Sequence, residues 1–423
     1  MALKDVVIAS LTTAEESIGY ARKGVEYLNT RYGLNHPDVA STIYPKIFTS
    51  DEYSPENLMG EDLKGKHVVL CAVPTNPDSK NFYVTPLEMA GRAVVAADNA
   101  KYFGAKKVTL IAPDLHFGRA DQGYFDLPKD APKEKLDLFK GKSNVAKAQA
   151  KMFRETIDQI IAIHLHSQRV RQSYNEVYGR DDALIEVDSA PLLVHYMIKH
   201  SMADMSDRGS KLVMIDSDFG IREYNDRILL YLNQLGYDQV SRVSFKKIRV
   251  QPNNPKFVHL EDPVFSENYT GLEGKTTWDP DDIDDTGGTK AATCNTLMTK
   301  GLRQKSGRHE KPANFISSAT HPVLTGSGFR NAMQNIIESN LLEIVYFNTH
   351  PFIENNMIYP VRKCGSVIRT AWYTFEHVRC NEEGIPFEEI CFTNDKLDLD
   401  KIEKVVPPPF RRTEHPKYGQ NHH

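Results

Sequence analysis

Lys66-His67-Val68-Val69-Leu70-Cys71-Ala72-Val73 is a short apolar run entered from Lys64-Gly65, and Lys107-Val108-Thr109-Leu110-Ile111-Ala112-Pro113 repeats its character. Both have the length and composition of strands buried on both faces, as in a parallel sheet. Between them, Thr85 to Phe103 places Leu87, Met89, Ala90, Val94, Ala97 and Ala100 at roughly helical spacing, with Gly104 where a C-cap glycine belongs. The stretch therefore reads strand, helix, strand. Further along, Ile160 to Leu165 and Lys211 to Ile215 read as strands, and Ile221 to Leu235 as a helix closed by Gly236. A third set comprises a strand over Asn314 to Ser318, a helix over Gly328 to Ser339 and a strand over Glu343 to Asn348. Such alternation predicts an α/β fold with mainly parallel sheets, whose ligands gather at the carboxyl ends of the strands.

The chain has 423 residues, more than the usual single domain of roughly 100 to 200, so two domains are expected. Hydrophobic residues at 40% and charged residues at 26% fit a globular protein and argue against disorder. No apolar run approaches the roughly 20 residues of a spanning helix, and the first residues lack the basic, apolar and small-residue succession of a secretion signal. Cysteines 71, 294, 364, 380 and 391 form no Cys-x-x-Cys pair, so the expectation is reduced cytoplasmic thiols. A formal charge of −4 supplies no global basic field to draw the chain to nucleic acid. Polar stretches at 123–144, 251–275 and 301–312 read as surface loops or insertions, and the tail after Cys380, with Pro407-Pro408-Pro409, as an appendage.

The chemistry is carried by Asp281-Asp282-Ile283-Asp284-Asp285-Thr286-Gly287-Gly288-Thr289, followed by Lys290 to Met298 as a continuing helix. Two glycines let the backbone aim its N–H groups at one point, Thr286 and Thr289 add hydroxyls, and the helix N-terminus adds partial positive charge. That is a phosphate cradle. The acidic residues just upstream would repel a bare phosphate, so they fit sugar hydroxyls or a divalent cation; ribose phosphate satisfies both halves. An acidic calcium-type loop, or an ordinary turn rich in Asp and Gly, is the alternative. The preceding Lys275-Thr276-Thr277-Trp278-Asp279-Pro280 makes a poor strand by composition. His164 and His166, at i and i+2 on a strand, would face the same way and suit a metal or phosphate, or one may simply be a hydrogen-bonded strand-end residue. Lys247 and Arg249 would neutralise a transferring anionic group, or form a solvated basic strand end.

Taken together, these blocks resemble the ribose-phosphate pyrophosphokinases (phosphoribosyl pyrophosphate synthetases) from about Phe48 to Pro351, with inserted segments. Pro74-Thr75-Asn76, and Ala112 to Asp121 beyond the helix, are similar to that family's nucleotide-binding stretch; Arg119 and Asp121 match its Arg-Gln-Asp, whereas Ala120 replaces the glutamine. Phe48, Asp51 and Glu52 resemble the loop that covers adenine from a neighbouring subunit. His164-Leu165-His166-Ser167 matches an Asp-Leu-His block, with His166 in the place of the histidine near the catalytic metal and phosphates. Asp216-Ser217-Asp218-Phe219-Gly220 is similar to the Pro-Asp-x-Gly-Gly block, with Asp218 the matching carboxylate and Ile221 in place of the second glycine. Phe245 to Arg249 matches the catalytic flexible loop, its Lys-x-Arg falling on Lys247 and Arg249. Ala319 to Gly326 and Asn348 to Pro351 look like paired strand-end segments of the second domain.

The resemblance implies two phosphoribosyltransferase-type domains, over 1–185 on the nucleotide side and 186–380 on the ribose phosphate side, with an extension over 381–423. It implies Mg²⁺ near His166 and Asp218. It also implies ATP and a ribose 5-phosphate-type acceptor as substrates, and a homodimer or homohexamer. The diol would rest on Asp281 and Asp282 and the 5-phosphate on Asp285 to Thr289. A larger acceptor with a ribose 5-phosphate end, such as ADP-ribose, a phosphoribosyltransferase and a non-catalytic regulatory relative remain as alternatives.

Overall fold

A computed structural model describes residues 3–75, 83–217, 219–249, 258–303, 307–324, 328–356 and 364–412. Asn76, Asp218, Thr325 and Gly326 lie outside the described residues, as do the side chains of Lys247 and Arg249. The chain forms two compact units. The first comprises the residues up to Asp188 with Thr349–Phe352 and Ala371–Phe387, and the second Ser189–Asn348, Ile353–Thr370 and the residues from Glu388 on. The two units thus interleave along the chain, and no linear cut at 185 and 380 describes their membership.

In the first unit, Val6–Ser10, His67–Cys71, Lys107–Ile111, Gln159–Ile163 and Leu184–Val187 lie side by side in sequence order, every pair parallel. Because alternate residues face opposite ways, one face presents Val68, Leu70, Val108, Leu110, Ile160 and Ala162 to the helices. There the predicted helix forms over Pro86–Tyr102. Thr85 accepts the Glu88 N–H, Pro86 pre-sets the first turn, and Gly104 takes φ 83° after the end. Ala93, Ala96, Ala97 and Ala100, with Met89 on an earlier turn, bury its face in the core. The helices Glu15–Tyr32 and Ala371–Glu383 pack against each other, and a Cβ at Gly24 would come within 2.2 Å of the Phe375 ring, so only glycine allows that approach.

The second unit is an eight-stranded sheet in the order Val258–Phe265, Ser241–Arg249, Leu212–Asp216, Thr276–Asp284, Asn314–Pro322, Glu343–Phe347, Cys364–Ile368 and Phe410–Arg412. Its six inner strands are parallel and each edge strand antiparallel. Thr276–Asp284, poor as a strand by composition, is central. Trp278 is fully buried and its indole N–H donates to Ser318 Oγ at 3.1 Å, while the buried carboxylates that follow meet a lysine from the next helix, described below. The Lys247 and Arg249 segment is the end of a strand paired with Val258–Phe265. Residues 388–412 are no appendage: the helix Leu399–Val405, capped by Asp398, leads into the strand that closes the sheet. All five cysteines are buried and none is in a disulfide. No described helix is long and apolar enough to cross a membrane.

Candidate active site

The Asp281–Thr289 motif occupies the carboxyl end of the central strand Thr276–Asp284 and the start of the helix Gly288–Thr299. Gly287, the N-cap, takes φ 64°, a left-handed conformation that glycine adopts without strain. A Cβ there would also stand 2.6 Å from the carbonyl oxygen of Ala332. The Asp284 carboxylate ties the turn together, accepting the Gly287 N–H through Oδ1 at 2.9 Å and the Tyr346 hydroxyl through Oδ2 at 2.6 Å. Burial first, then Asp284, pushes the Tyr346 hydroxyl well above its ordinary range, so it stays a donor. Thr286 Oγ1 accepts the Gly288 N–H at 3.2 Å, and Asn335 from the helix Phe329–Ile337 donates to the Thr286 carbonyl at 2.9 Å. The turn is held on both sides. Asp282, Asp285, Thr286 and Thr289 are partly exposed along it, so hydroxyls and carboxylates line the mouth of a loop whose backbone is fixed.

Beneath the mouth the charges are buried. Asp281 directs Oδ1 to its neighbour's N–H at 3.0 Å and Oδ2 to the ammonium of Lys290 at 3.3 Å. Lys290 also donates to the carbonyl of Ser318 at 3.0 Å. Burial pushes the Asp281 carboxyl up; Lys290 pulls it down, and Asp282 and Asp279 push it further up. Burial works against the Lys290 ammonium, but Asp281, Asp279 and Asp284 outweigh it and hold that group above its ordinary value.

In the first unit, the loops after Lys107–Ile111 and Gln159–Ile163 carry Arg119, Asp121 and His166. Asp121 accepts a hydrogen bond from the Ser167 hydroxyl, tying the Arg119–Asp121 loop to the loop of His166. Arg119 and His166 are exposed there. His164 and His166 do not share a strand face. The strand stops at Ile163, and His164, with φ 45°, turns the chain away, leaving its own side chain buried and His166 in solvent. Phe48, Asp51 and Glu52 sit at the tip of the hairpin Ile43–Ile47/Tyr53–Asn57, all exposed, with Asp51 at φ 63° and the Lys46 ammonium 5.2 Å above the Phe48 ring. Asp216, two positions before Asp218 in the sequence, is locked in the core by Arg242, Ser244 and Asn225.

Sequence reasoning missed two groups here. His350 Nε2 lies 2.7 Å from Asp114 Oδ2, and His116 Nδ1 lies 3.9 Å from the same oxygen, so Asn348-Thr349-His350-Pro351 contributes its histidine to the first unit. Residues so far apart in sequence carry no local signal of that pairing. Lys290 was legible only as the first turn of a helix, although a lysine following an acidic strand was a hint.

No family model matches the chain. It is similar to the ribose-phosphate pyrophosphokinase of Aquifex aeolicus, 23% identical over 296 residues that cover 70% of this chain and 76% of that one. It is also similar to the ribose-phosphate pyrophosphokinase of a Marinomonas species, 24% identical over 342 residues covering 80% and 87%. In fold it is similar to the crystal structure of phosphoribosylpyrophosphate synthetase from Mycobacterium smegmatis, with a TM-score of 0.60 and 16% identity, over 90% of this chain and 99% of that one. The α/β architecture with parallel central sheets matches that fold. Sequence and fold thus both liken the chain to the ribose-phosphate pyrophosphokinases.

Proposed function

We propose that this protein transfers the pyrophosphoryl group of ATP to the C1 hydroxyl of ribose 5-phosphate, giving phosphoribosyl pyrophosphate and AMP. The anomeric oxygen attacks the β-phosphorus, the bond from that phosphorus to the α-phosphate oxygen breaks, and AMP leaves with the electron pair. The observation that carries this reading is the clamped Asp284–Gly288 turn, whose acidic and hydroxyl-bearing rim suits a ribose diol and a 5-phosphate together. Asp281 and Asp282 would take the diol, and Asp285, Thr286, Gly287, Gly288 and Thr289 the phosphate. Arg119, Asp121 and His166 would address the nucleotide, with Phe48, Asp51 and Glu52 on the adenine of a neighbouring subunit in a homodimer or homohexamer. Lys247 and Arg249 would offset charge on the transferring group.

Among the described residues no three His, Cys, Asp or Glu side chains group to hold a metal ion. Mg²⁺ is commonly bound through one or two carboxylates and substrate phosphates rather than a protein cage. His166 and Asp218 would be its protein neighbours, and the ion would neutralise the phosphate oxygens. Positioning and charge stabilisation, with no dedicated base, account for the chemistry.

AMP release from ATP and Mg²⁺ tests the reading directly, with ribose 5-phosphate and ADP-ribose offered separately and products weighed by mass spectrometry. AMP with ribose 5-phosphate is expected. AMP only with ADP-ribose moves the acceptor to the larger molecule, and AMP with neither overturns the proposal. Lys247→Ala is expected to lower kcat by roughly 100- to 1000-fold with little change in KM; full activity would remove Lys247 from the mechanism.

A further inference from the structure

The turn that carries His166 is held by a carboxylate from the neighbouring strand. Parallel pairing of Gln159–Ile163 with Leu184–Val187 sets Ile163 against Val187 and Ala162 against Glu186. Beyond the strand, the His164 N–H still reaches the Val187 carbonyl at 3.1 Å. His164 then takes φ 45°, a left-handed conformation that residues other than glycine keep only where their surroundings hold them in it. The next N–H, that of Leu165, has left the strand, and a buried N–H needs an acceptor. Glu186 Oε1 accepts it at 3.0 Å.

That carboxylate is itself fixed. The Glu186 side chain is 4% exposed, and its Oε2 accepts from the Arg171 guanidinium at 2.6 Å and from the Gln168 amide at 3.2 Å, both on the first turn of the helix Gln168–Tyr178. A charge so deeply buried persists only with partners of this kind. On the other side Ser167, the N-cap of the helix, accepts the Arg169 N–H at 3.2 Å and donates its hydroxyl to Asp121. A Cβ on Gly118, in the loop of Arg119, would stand 3.9 Å from that of His166, so the two loops run side by side. Leu165 points into the core and His166 into solvent. Two carboxylates from different elements therefore grip residues 164–167, and His166 leaves the fold between them.

We infer that Glu186 is a positioning residue for His166: its carboxylate fixes the His164–Ser167 turn and, through that turn, the direction in which the His166 imidazole leaves the fold. Glu186 does not itself meet the substrate. The inference rests on the reading of His166 as a group that addresses the nucleotide.

The test compares Glu186→Ala with the wild type, as full chains, by amide hydrogen exchange, histidine-ring NMR and AMP formation. Exchange of the Leu165 amide is expected to quicken while the amides of Gln159–Ile163 keep their protection. The His166 ring resonances should shift, and kcat should fall on the order of 100-fold, with the ribose 5-phosphate KM unchanged. Glu186→Gln keeps the shape and one acceptor oxygen for Leu165, and should recover part of that loss. In a His166→Ala background Glu186→Ala should cost kcat nothing further. A merely structural Glu186 would loosen the whole sheet and cost the same with or without His166. Unmoved Leu165 exchange, unmoved His166 resonances or equal losses in the two backgrounds overturn the inference. If Glu186→Ala does not fold, Glu186→Gln decides by the same readouts. Absence of AMP formation by the wild-type protein would defeat the proposed function, while exchange and resonances, which need no turnover, would still judge this one.

Discussion

Each unit buries a charged group against its sheet, and the two groups are built to opposite ends. In the first unit Glu382, 3% exposed, meets His67 Nδ1 at 3.0 Å and Lys107 Nζ at 2.9 Å, and His67 Nε2 lies 2.8 Å from Thr109 Oγ1. One carboxylate faces one ammonium and one imidazole, and the helix Ala371–Glu383 is pinned to the strands His67–Cys71 and Lys107–Ile111. In the second unit the buried Lys290 ammonium meets Asp281 at 3.3 Å and the Ser318 carbonyl at 3.0 Å, beside the Asp284–Gly288 turn. A matched group has nothing left to offer a ligand, so it serves the fold. In the second unit the carboxylate of the buried pair belongs to the acidic run that leads into the turn, so that pair lies at the candidate site.

The sharpest test of that contrast is Glu382→Ala, which strands His67 and Lys107 and should cost about 3–5 kcal/mol in chemical denaturation; a cost under ~1 kcal/mol would show that the matched group does not hold the helix. Next is Asp285→Ala in the cradle. Loss of a charge-assisted hydrogen bond of about 1.5–3 kcal/mol should raise the acceptor KM by roughly 10- to 100-fold, while the midpoint of denaturation stays near wild type. An unchanged KM would remove Asp285 from acceptor binding.

Acid separates the groups again. Burial alone would raise the Glu382 carboxyl, but His67 and then Lys107 hold it down at about 2. An unfolded glutamate titrates near ~4.3. The stability from Glu382 is therefore fully present above that value and lost as the pH falls toward about 2. Glu382→Gln should flatten the acid limb of the stability curve, and an identical limb in both proteins would contradict the pairing. The smallest effect belongs to the exposed pair Lys147–Glu176, 2.6 Å apart with side chains 35% and 63% exposed. Lys147→Ala should cost under ~1 kcal/mol, less at high salt.

The regular parts of the fold were legible because their signals are local. The runs at 66–73 and 107–113 became strands, and Thr85 capped the helix between them. The turn between Thr276–Asp284 and Gly288–Thr299 was legible for the same reason, since its glycines and the helix that follows are contiguous in sequence. Thr276–Asp284 was hard to read because its carboxylates suit a sheet centre only once Lys290 is folded against them. The helix Ala371–Glu383 was missed as a member of the first unit because its partners, Gly24, His67 and Lys107, are more than 250 residues away.

Sequence alone thus determined the α/β class and the strand, glycine turn and helix of the Asp281–Thr289 motif, all of which depend on neighbours within a turn or a strand. Tertiary structure alone decided the rest. It assigned His350 to Asp114, turned His164 inward and His166 outward, and paired the buried Lys290 with Asp281. Those outcomes depend on distances and burial between residues remote in the chain, and a linear pattern of side chains does not encode them one position at a time.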